Sequence, residues 1–451
     1  MGELQQDKMV KIINANKLKR RDFLKQAATA VGTIAFPYVI TSAALGGATT
    51  PAASDRVTLG HIGVGSQGSG LLENFLQVKY ARCVAVADPI RERRDKWAAR
   101  TGCAAYNDFR ELLARGDIDA VVVATQDHWH VPIAIMAAKA GKDMYVEKPL
   151  GISIEHNQAV RKAVRDYRRI FQYGTQQRSD RNFRFACELA RNKYIGEVKE
   201  IHAWCSDGIP GGSTAEEPVP PGFDYDMWLG PAPLKPFNKD RCLRDGQSKG
   251  TYHIYDYAIG FIAGWGAHPL DIAQWGNNID DTAPVLYEGK GELPREGLHD
   301  TTLRWDINCV YENGVKLHFM STTIAGPVVR KYRPMNDHGT TFIGDKGWVS
   351  VDRAGIYAQP AELLSIKLKP EDLHLYESNN HYENFVQCVL SRKDPISPIE
   401  SAVQSDFICH LSDIVVRTGR AVKWDPKKEK ILDNPEAQRY IARAMRSPWT
   451  L

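Results

Sequence analysis

From residue 57 the chain alternates short apolar runs with stretches of helical period, the pattern of a parallel sheet wound with helices on both faces. Residues 57–62 predict a first strand, 83–87 a second, 120–124 a third and 142–146 a fourth. A helical stretch at 131–140, closed by Gly141, separates the last two. An amphipathic helix at 154–168 leads to a further strand at 170–173, and Gly174 closes the region. Beyond it the hydrophobic period drops to two. Strands are expected at 197–206, 301–311, 315–321, 340–343 and 348–351, with Asn313-Gly314 as a type I′ hairpin turn. A Pro/Gly/aromatic-rich insert at 208–278 is too long for an idle connection, and 381–419 reads mainly helical.

The first strand runs into Gly63-Val64-Gly65-Ser66-Gln67-Gly68, with a helix expected from near Ser69. In a Gly-x-Gly-x-x-Gly turn the first glycine permits the tight bend, the second admits a pyrophosphate, and the third lets helix and strand pack closely. The second strand ends in Asp88, twenty residues past Gly68, where a carboxylate binds the adenosine ribose hydroxyls and favours NAD over NADP. Arg91, Arg93 and Arg94 blunt this argument, since a guanidinium there can serve a 2′-phosphate, although such residues more often form the solvated face of the helix after the strand. The expected fold class is α/β: an N-terminal Rossmann domain with a doubly wound parallel sheet, then a C-terminal α+β domain with a mainly antiparallel, open-faced sheet. The expected boundaries are 1–53 for a signal and linker, 54–175 for the nucleotide domain and 176–451 for the substrate and oligomerisation domain.

Charge locates itself at the front of the chain. Of 58 Lys and Arg against 54 Asp and Glu, residues 1–50 hold seven and three, which leaves the remainder neutral and gives no electrostatic case for a nucleic acid partner. Lys19-Arg20-Arg21-Asp22-Phe23-Leu24-Lys25 has the form of a twin-arginine signal, and an uncharged Ala-rich stretch follows to residue 54 with small-residue cleavage candidates near Ser42 and Ala44. Export by the twin-arginine machinery to the periplasm is expected, with an uncleaved, membrane-anchoring signal as the alternative. The eight cysteines form no Cys-x-x-Cys pair and no Cys/His cluster of zinc-finger spacing, so neither a disulfide framework nor a metal is expected.

Glu147-Lys148-Pro149 falls at the carboxyl end of the fourth predicted strand, the edge at which such sheets bind ligands. A lysine there can donate to a substrate hydroxyl and pass its proton during hydride transfer. Together with the glycine turn, Thr125-Gln126-Asp127-His128-Trp129-His130, Ala140-Gly141-Lys142 and Trp265-Gly266-Ala267-His268 with Asp271, this triplet resembles the Gfo/Idh/MocA oxidoreductases over roughly residues 57–449. The resemblance implies that Lys148 contacts the reacting hydroxyl and that His268 completes the catalytic pair. It places His130 near the nicotinamide, with His128 and Trp129 on the same loop, and lets Gln176 reach cofactor or sugar. NAD contacts are thus expected from Gly63, Gly65, Ser66, Gln67, Gly68, Asp88, Thr125, His128, Trp129, His130, Glu147, Lys148 and Gln176. The family pattern has an aspartate four residues before the histidine, where this chain has Gly264. Either Asp271, Asp256 or His253 substitutes for it, or His268 acts with Lys148 alone. Asp271 reads equally well as a structural residue on a helix.

Within the insert, Trp228, Tyr252, Tyr255, Tyr257 and Trp265 can stack on a sugar face while His253 and Asp256 bind hydroxyls. The alternative for the aromatics there, Trp228, Tyr255 and Tyr257 included, is a core or a dimer interface. The expected function is an exported oxidoreductase moving a hydride between a sugar or glycoside ring carbon, C3 by the resemblance, and a tightly bound NAD. A second reading is the redox-cycling glycosidase of the same fold, such as the NAD-dependent alpha-N-acetylgalactosaminidases, although Glu147-Lys148-Pro149 differs from the Glu-Val-Pro associated with them. A non-catalytic sugar or NAD binder is a third. The resemblance also implies a homo-oligomer formed through the open sheet face.

Overall fold

The computed structural model describes residues 51–52, 55–242 and 250–451, and Asp55–Leu451 make one compact unit. The twin-arginine motif at 19–25 lies outside the described residues. Among the described residues, no helix is long and apolar enough to cross a membrane.

The first sheet contains β1 (Val57–Ile62), β2 (Ala81–Ala87), β3 (Ala104–Tyr106), β4 (Ala120–Val123), β5 (Asp143–Val146) and β6 (Phe171–Tyr173), in the order β3-β2-β1-β4-β5-β6 with every pair parallel. The fully apolar β4 and its buried neighbour β5 sit inside, as runs without alternation require. Sequence periodicity misses β3, because three half-buried residues on a sheet edge carry no period. The strands expected third and fourth are therefore the fourth and fifth.

Two local expectations change. The helix after the glycine turn starts at Ser66, not Ser69. The helix expected from 131 spans Asp127–Lys139, so His128, Trp129 and His130 lie in its first turns rather than on a loop. Pro132 suggests a start just before it, but Trp129 Nε1 donates to Trp228 O at 3.0 Å and its ring meets Trp449 at 4.7 Å. These tertiary contacts hold an extra turn that local propensity does not favour.

The second sheet contains β7 (Val198–Cys205), β8 (Leu286–Glu292), β9 (Arg304–Val310), β10 (Lys316–Ser321), β11 (Gly339–Gly344), β12 (Trp348–Asp352), β13 (Gly355–Gln359), β14 (Val422–Asp425) and β15 (Lys430–Leu432). Their order is β13-β12-β11-β7-β10-β9-β8-β14-β15, with β7 and β10 paired in parallel and the other pairings antiparallel. One face, carrying Ile201, Ala203, Leu317 and Phe319, joins the main core beneath the buried helix Ile399–Thr418. The expected type I′ turn is instead a three-residue loop: Gly314 alone takes positive φ, at 83°, while Tyr311 N bonds Val315 O and Gly314 N bonds Tyr311 O. A type I turn closed by a left-handed glycine suits one positive-φ residue, whereas type I′ needs two.

His61, next to the carboxyl end of β1, is 1% exposed, stands edge-on to Phe75, and has no hydrogen-bond partner at either ring nitrogen. Burial lowers its pKa to about 3, so the unfolded chain takes up a proton that the fold refuses. The folded pKa is depressed; stability is therefore fullest above pH ~6.5 and falls as pH drops toward the folded value. His61→Leu is expected to gain about 1–2 kcal/mol at pH ~7.5 by removing two unpaired polar atoms. The gain should widen by about 1 kcal/mol between pH ~6.5 and pH ~5.5. Urea unfolding at both ends of that window checks it; a gain that shrinks on acidification overturns it.

Candidate active site

The glycine turn at the end of β1 is a place where side chains cannot stand. Gly63 has φ +81°, and a Cβ there would lie 2.6 Å from Ala124 O; one on Gly68 would lie 1.9 Å from Gly63 O. The carbonyl and the helix can approach only because both positions lack a side chain. Gly63, Gly65, Ser66 and Gln67 line a hollow with Asp88, Arg93, Thr125 and Asp127, and the start of helix Ser66–Leu76 opens into it. Asp88 accepts from Val64 N at 3.0 Å and Ile90 N at 2.9 Å. Burial raises its pKa, and the charges of Arg93 and Arg94 oppose that rise.

Gln67 links this hollow to the next. Its Nε2 donates to Glu147 Oε1 at 3.0 Å, and Gln176 Nε2 donates to the same oxygen at 3.0 Å. The buried Glu147 is held up in pKa by desolvation, against the attraction of Lys148. Beyond lies a cavity of about 790 Å³ lined by Lys148, Gln176, Tyr252, Trp265, His268 and Arg353, among others. Lys148 Nζ donates to Gly264 O at 3.0 Å and sits 5.6 Å from the Trp265 ring and 6.0 Å from that of Tyr252. His268 is 2% exposed, and Arg353 Nη2 is 3.5 Å from its Nε2. Desolvation, then the positive charges of Lys148 and Arg353, lower its pKa well below the usual imidazole value, so the ring is neutral. At Gly264 an added Cβ would meet the Tyr252 ring at 3.3 Å. Tyr252 therefore packs where the side chain of an aspartate would begin, and the residue contributes its carbonyl to Lys148 instead.

Other expected contacts are turned elsewhere. His128 is fully buried, with Nε2 3.2 Å from Trp228 O, and with Asp256 it lines a separate hollow. Trp129 is a core residue joining the insert to the tail. His130 spans Pro149 O at 2.7 Å and Thr125 O at 3.2 Å, which makes it a strut between the two loops rather than a cleft residue. Its pKa falls to about 4 through burial. His253 packs on Phe261 and His299 at ring distances of 4.6 Å and 5.2 Å. Asp271 is 0% exposed and bonds Arg178 through both oxygens at 2.8 Å, so it offers nothing to a substrate. Trp228 and Tyr257 belong to a core cluster, as their alternative reading has it.

Asp127 and Arg353 are the residues sequence reasoning passed over. Asp127 is buried near Lys148, and desolvation pushes its pKa up to about 8 against the pull of that lysine. Its signal was the carboxylate inside the Thr125 motif. Arg353 follows β12 and reaches the cavity only through the pairing of the second sheet, which no local pattern reports.

Two family profiles match the chain: an oxidoreductase family with an NAD-binding Rossmann fold over residues 57–175, and an oxidoreductase C-terminal alpha/beta domain over 203–324 and 362–451. A glycosyl hydrolase family 109 protein of Shewanella baltica is 31% identical over 166 residues, 31% of this chain and 35% of that relative. An alpha-N-acetylgalactosaminidase of Shewanella oneidensis is also 31% identical over 166 residues, with the same coverage. The chain thus spans about a third of the length of these relatives. Among solved structures, the aldose-aldose oxidoreductase of Caulobacter crescentus with glycerol superposes with a TM-score of 0.60 at 17% identity, over 82% of this chain and 99% of that one. The WlbA dehydrogenase of Bordetella pertussis with NADH and UDP-GlcNAcA gives 0.59 at 16%, again over 82% and 99%. Both show the fold.

Proposed function

This chain belongs to the Gfo/Idh/MocA oxidoreductase family, with its NAD-binding Rossmann domain, and from that premise we propose an exported enzyme that oxidises or reduces a ring CH–OH of a sugar or glycoside, at C3. The observation that carries the reading is the meeting of Lys148 and His268 in one cavity that shares Ser66, Gln67 and Tyr252 with the hollow at the glycine turn. Gly63, Gly65, Ser66, Gln67 and Asp88, lining the hollow at that turn, would hold NAD, which would supply the hydride acceptor. Lys148 Nζ, which lines the cavity, would hydrogen bond the reacting hydroxyl, and the neutral His268 ring would take the proton that leaves as the carbonyl forms. Tyr252 and Trp265 wall the space in which a sugar face would lie.

Because the acceptor form of His268 is the neutral one and its pKa is lowered, activity should persist as pH falls past ~6.5, the ordinary imidazole value. The acid limb of kcat/KM is expected below that value and should be absent in His268→Gln. An acid limb at pH ~6.5 or above would remove His268 from the proton path.

The twin-arginine motif supports export of a folded protein into the periplasm, where NAD must stay bound and be reset by a second sugar or later in the same cycle. Native mass spectrometry of the purified protein tests this: retained NAD(H) is expected, and a cofactor-free protein needing millimolar NAD overturns it. The partial likeness to glycosyl hydrolase family 109 proteins favours the redox-cycling glycosidase as a second reading. Free sugar released from a nitrophenyl glycoside without added NAD would select it; NADH accumulating without bond cleavage would select the simple dehydrogenase.

A further inference from the structure

The open face of the second sheet carries a cluster that the proposed reaction does not use. His202 on β7 and His318 on β10 are register partners in the parallel pair, and Glu200 lies two residues before His202 on the same face. One ring nitrogen from each histidine and a Glu200 carboxylate oxygen all lie within 4.8 Å of one another. The linear spacing of these residues carries no metal motif; strand pairing brings them together.

Hydrogen-bonding groups back both rings. Arg333 Nη1, which can only donate, points at Ser350 Oγ at 3.1 Å, and Ser350 Oγ is 2.6 Å from Thr341 Oγ1. Tyr332 donates its hydroxyl hydrogen to Thr341 Oγ1 at 3.2 Å. His202 Nδ1 lies 3.1 Å from the Tyr332 hydroxyl oxygen. His202 Nε2 lies 2.9 Å from Glu200 Oε1, so the two proposed ligand atoms already face each other. His318 is held from the far side, its Nε2 2.7 Å from Asp306 Oδ1. Two imidazoles and a carboxylate, with one ring backed by a hydroxyl and the other by a carboxylate, is the donor set and outer support of a borderline divalent cation rather than of magnesium or calcium.

We propose that Glu200, His202 and His318 bind a zinc-class divalent cation on the open sheet face, with the fourth position left to water. The ligand atoms, now between 2.9 Å and 4.8 Å apart, need only settle near about 3.3 Å, the edge of a tetrahedron with bonds of about 2.0 Å. Movement of the half-exposed Glu200 carboxylate (44%) against the more buried rings of His318 (19%) and His202 (9%) supplies this.

The test uses the full chain, stripped with chelator and titrated with Zn²⁺ alone by calorimetry, with metal content measured after desalting. One Zn²⁺ per chain is expected, weakened at least ~100-fold in His318→Ala and about 10-fold in Tyr332→Phe, which removes only the outer hydroxyl. His318→Ala should keep the oxidoreductase activity, and Zn²⁺ should raise the Tm of the wild type but not of this variant. Absence of stoichiometric Zn²⁺, equal binding by His318→Ala, or Mg²⁺ binding as tight as Zn²⁺ overturns the proposal.

Discussion

Lys148→Met is expected to lower kcat for sugar oxidation by about 10²–10⁴-fold, equivalent to roughly 3–5 kcal/mol of barrier, while NAD remains bound. Methionine keeps the length and apolar stem, so the loss isolates the ammonium. The other groups expected to hold the cofactor do not depend on it: the glycine turn, Asp88, and the Gln67–Glu147–Gln176 cluster hold their geometry through their own hydrogen bonds. Two side effects have defined signs. Gly264 O loses its donor, and Glu147 loses a neighbouring positive charge, so its already raised pKa should rise further. Single-turnover NADH formation in enzyme that retains its cofactor is the readout. Unchanged turnover would move the protein to the class of non-catalytic binders or leave the proton to His268 alone; loss of NAD together with turnover would mean that Lys148 binds rather than reacts.

Chain periodicity exposes the sheet architecture because burial sets it directly: a strand covered on both faces must be apolar throughout, and one covered on a single face must alternate. Where burial is partial the signal fades, as at β3, whose three residues sit on the sheet edge. The site divides in a similar way. The glycine turn and Glu147-Lys148 were legible because they follow strands whose carboxyl ends share one edge. His128, Trp129 and Asp271 belong to motifs that resemble those of a catalytic family, yet their side chains point to Trp228, to Trp449 and to Arg178. A motif records which residues travel together, and some of its members hold the others in place. His130 shows this role, bracing the Thr125 and Pro149 loops without lining the cavity. Arg353 and the Glu200–His202–His318 cluster were invisible for the complementary reason, since strand pairing across the second sheet creates them.

Asp271 puts that distinction to measurement. Its carboxylate is 0% exposed and shares a bidentate pair with Arg178, itself 2% exposed, which also reaches Asp280 and lies 5.2 Å from the Trp275 ring. A buried guanidinium is tolerable only while its charge and its forked donors are met, and removing one partner of such a pair typically costs about 3–5 kcal/mol. Asp280 is 35% exposed and still pairs with Arg178, so the cost for Asp271→Ala should sit near the lower end, at about 3 kcal/mol. Asp271→Asn, which keeps the shape and one acceptor oxygen, should lose less. In both variants kcat is expected to stay within a few-fold of wild type at a temperature where they are folded, because Arg178, not the cavity, is what Asp271 faces. Urea midpoints measured beside single-turnover rates separate the two roles. A variant that keeps its urea midpoint but loses about 100-fold in kcat would return Asp271 to the proton path, with a movement on substrate binding that frees it from Arg178.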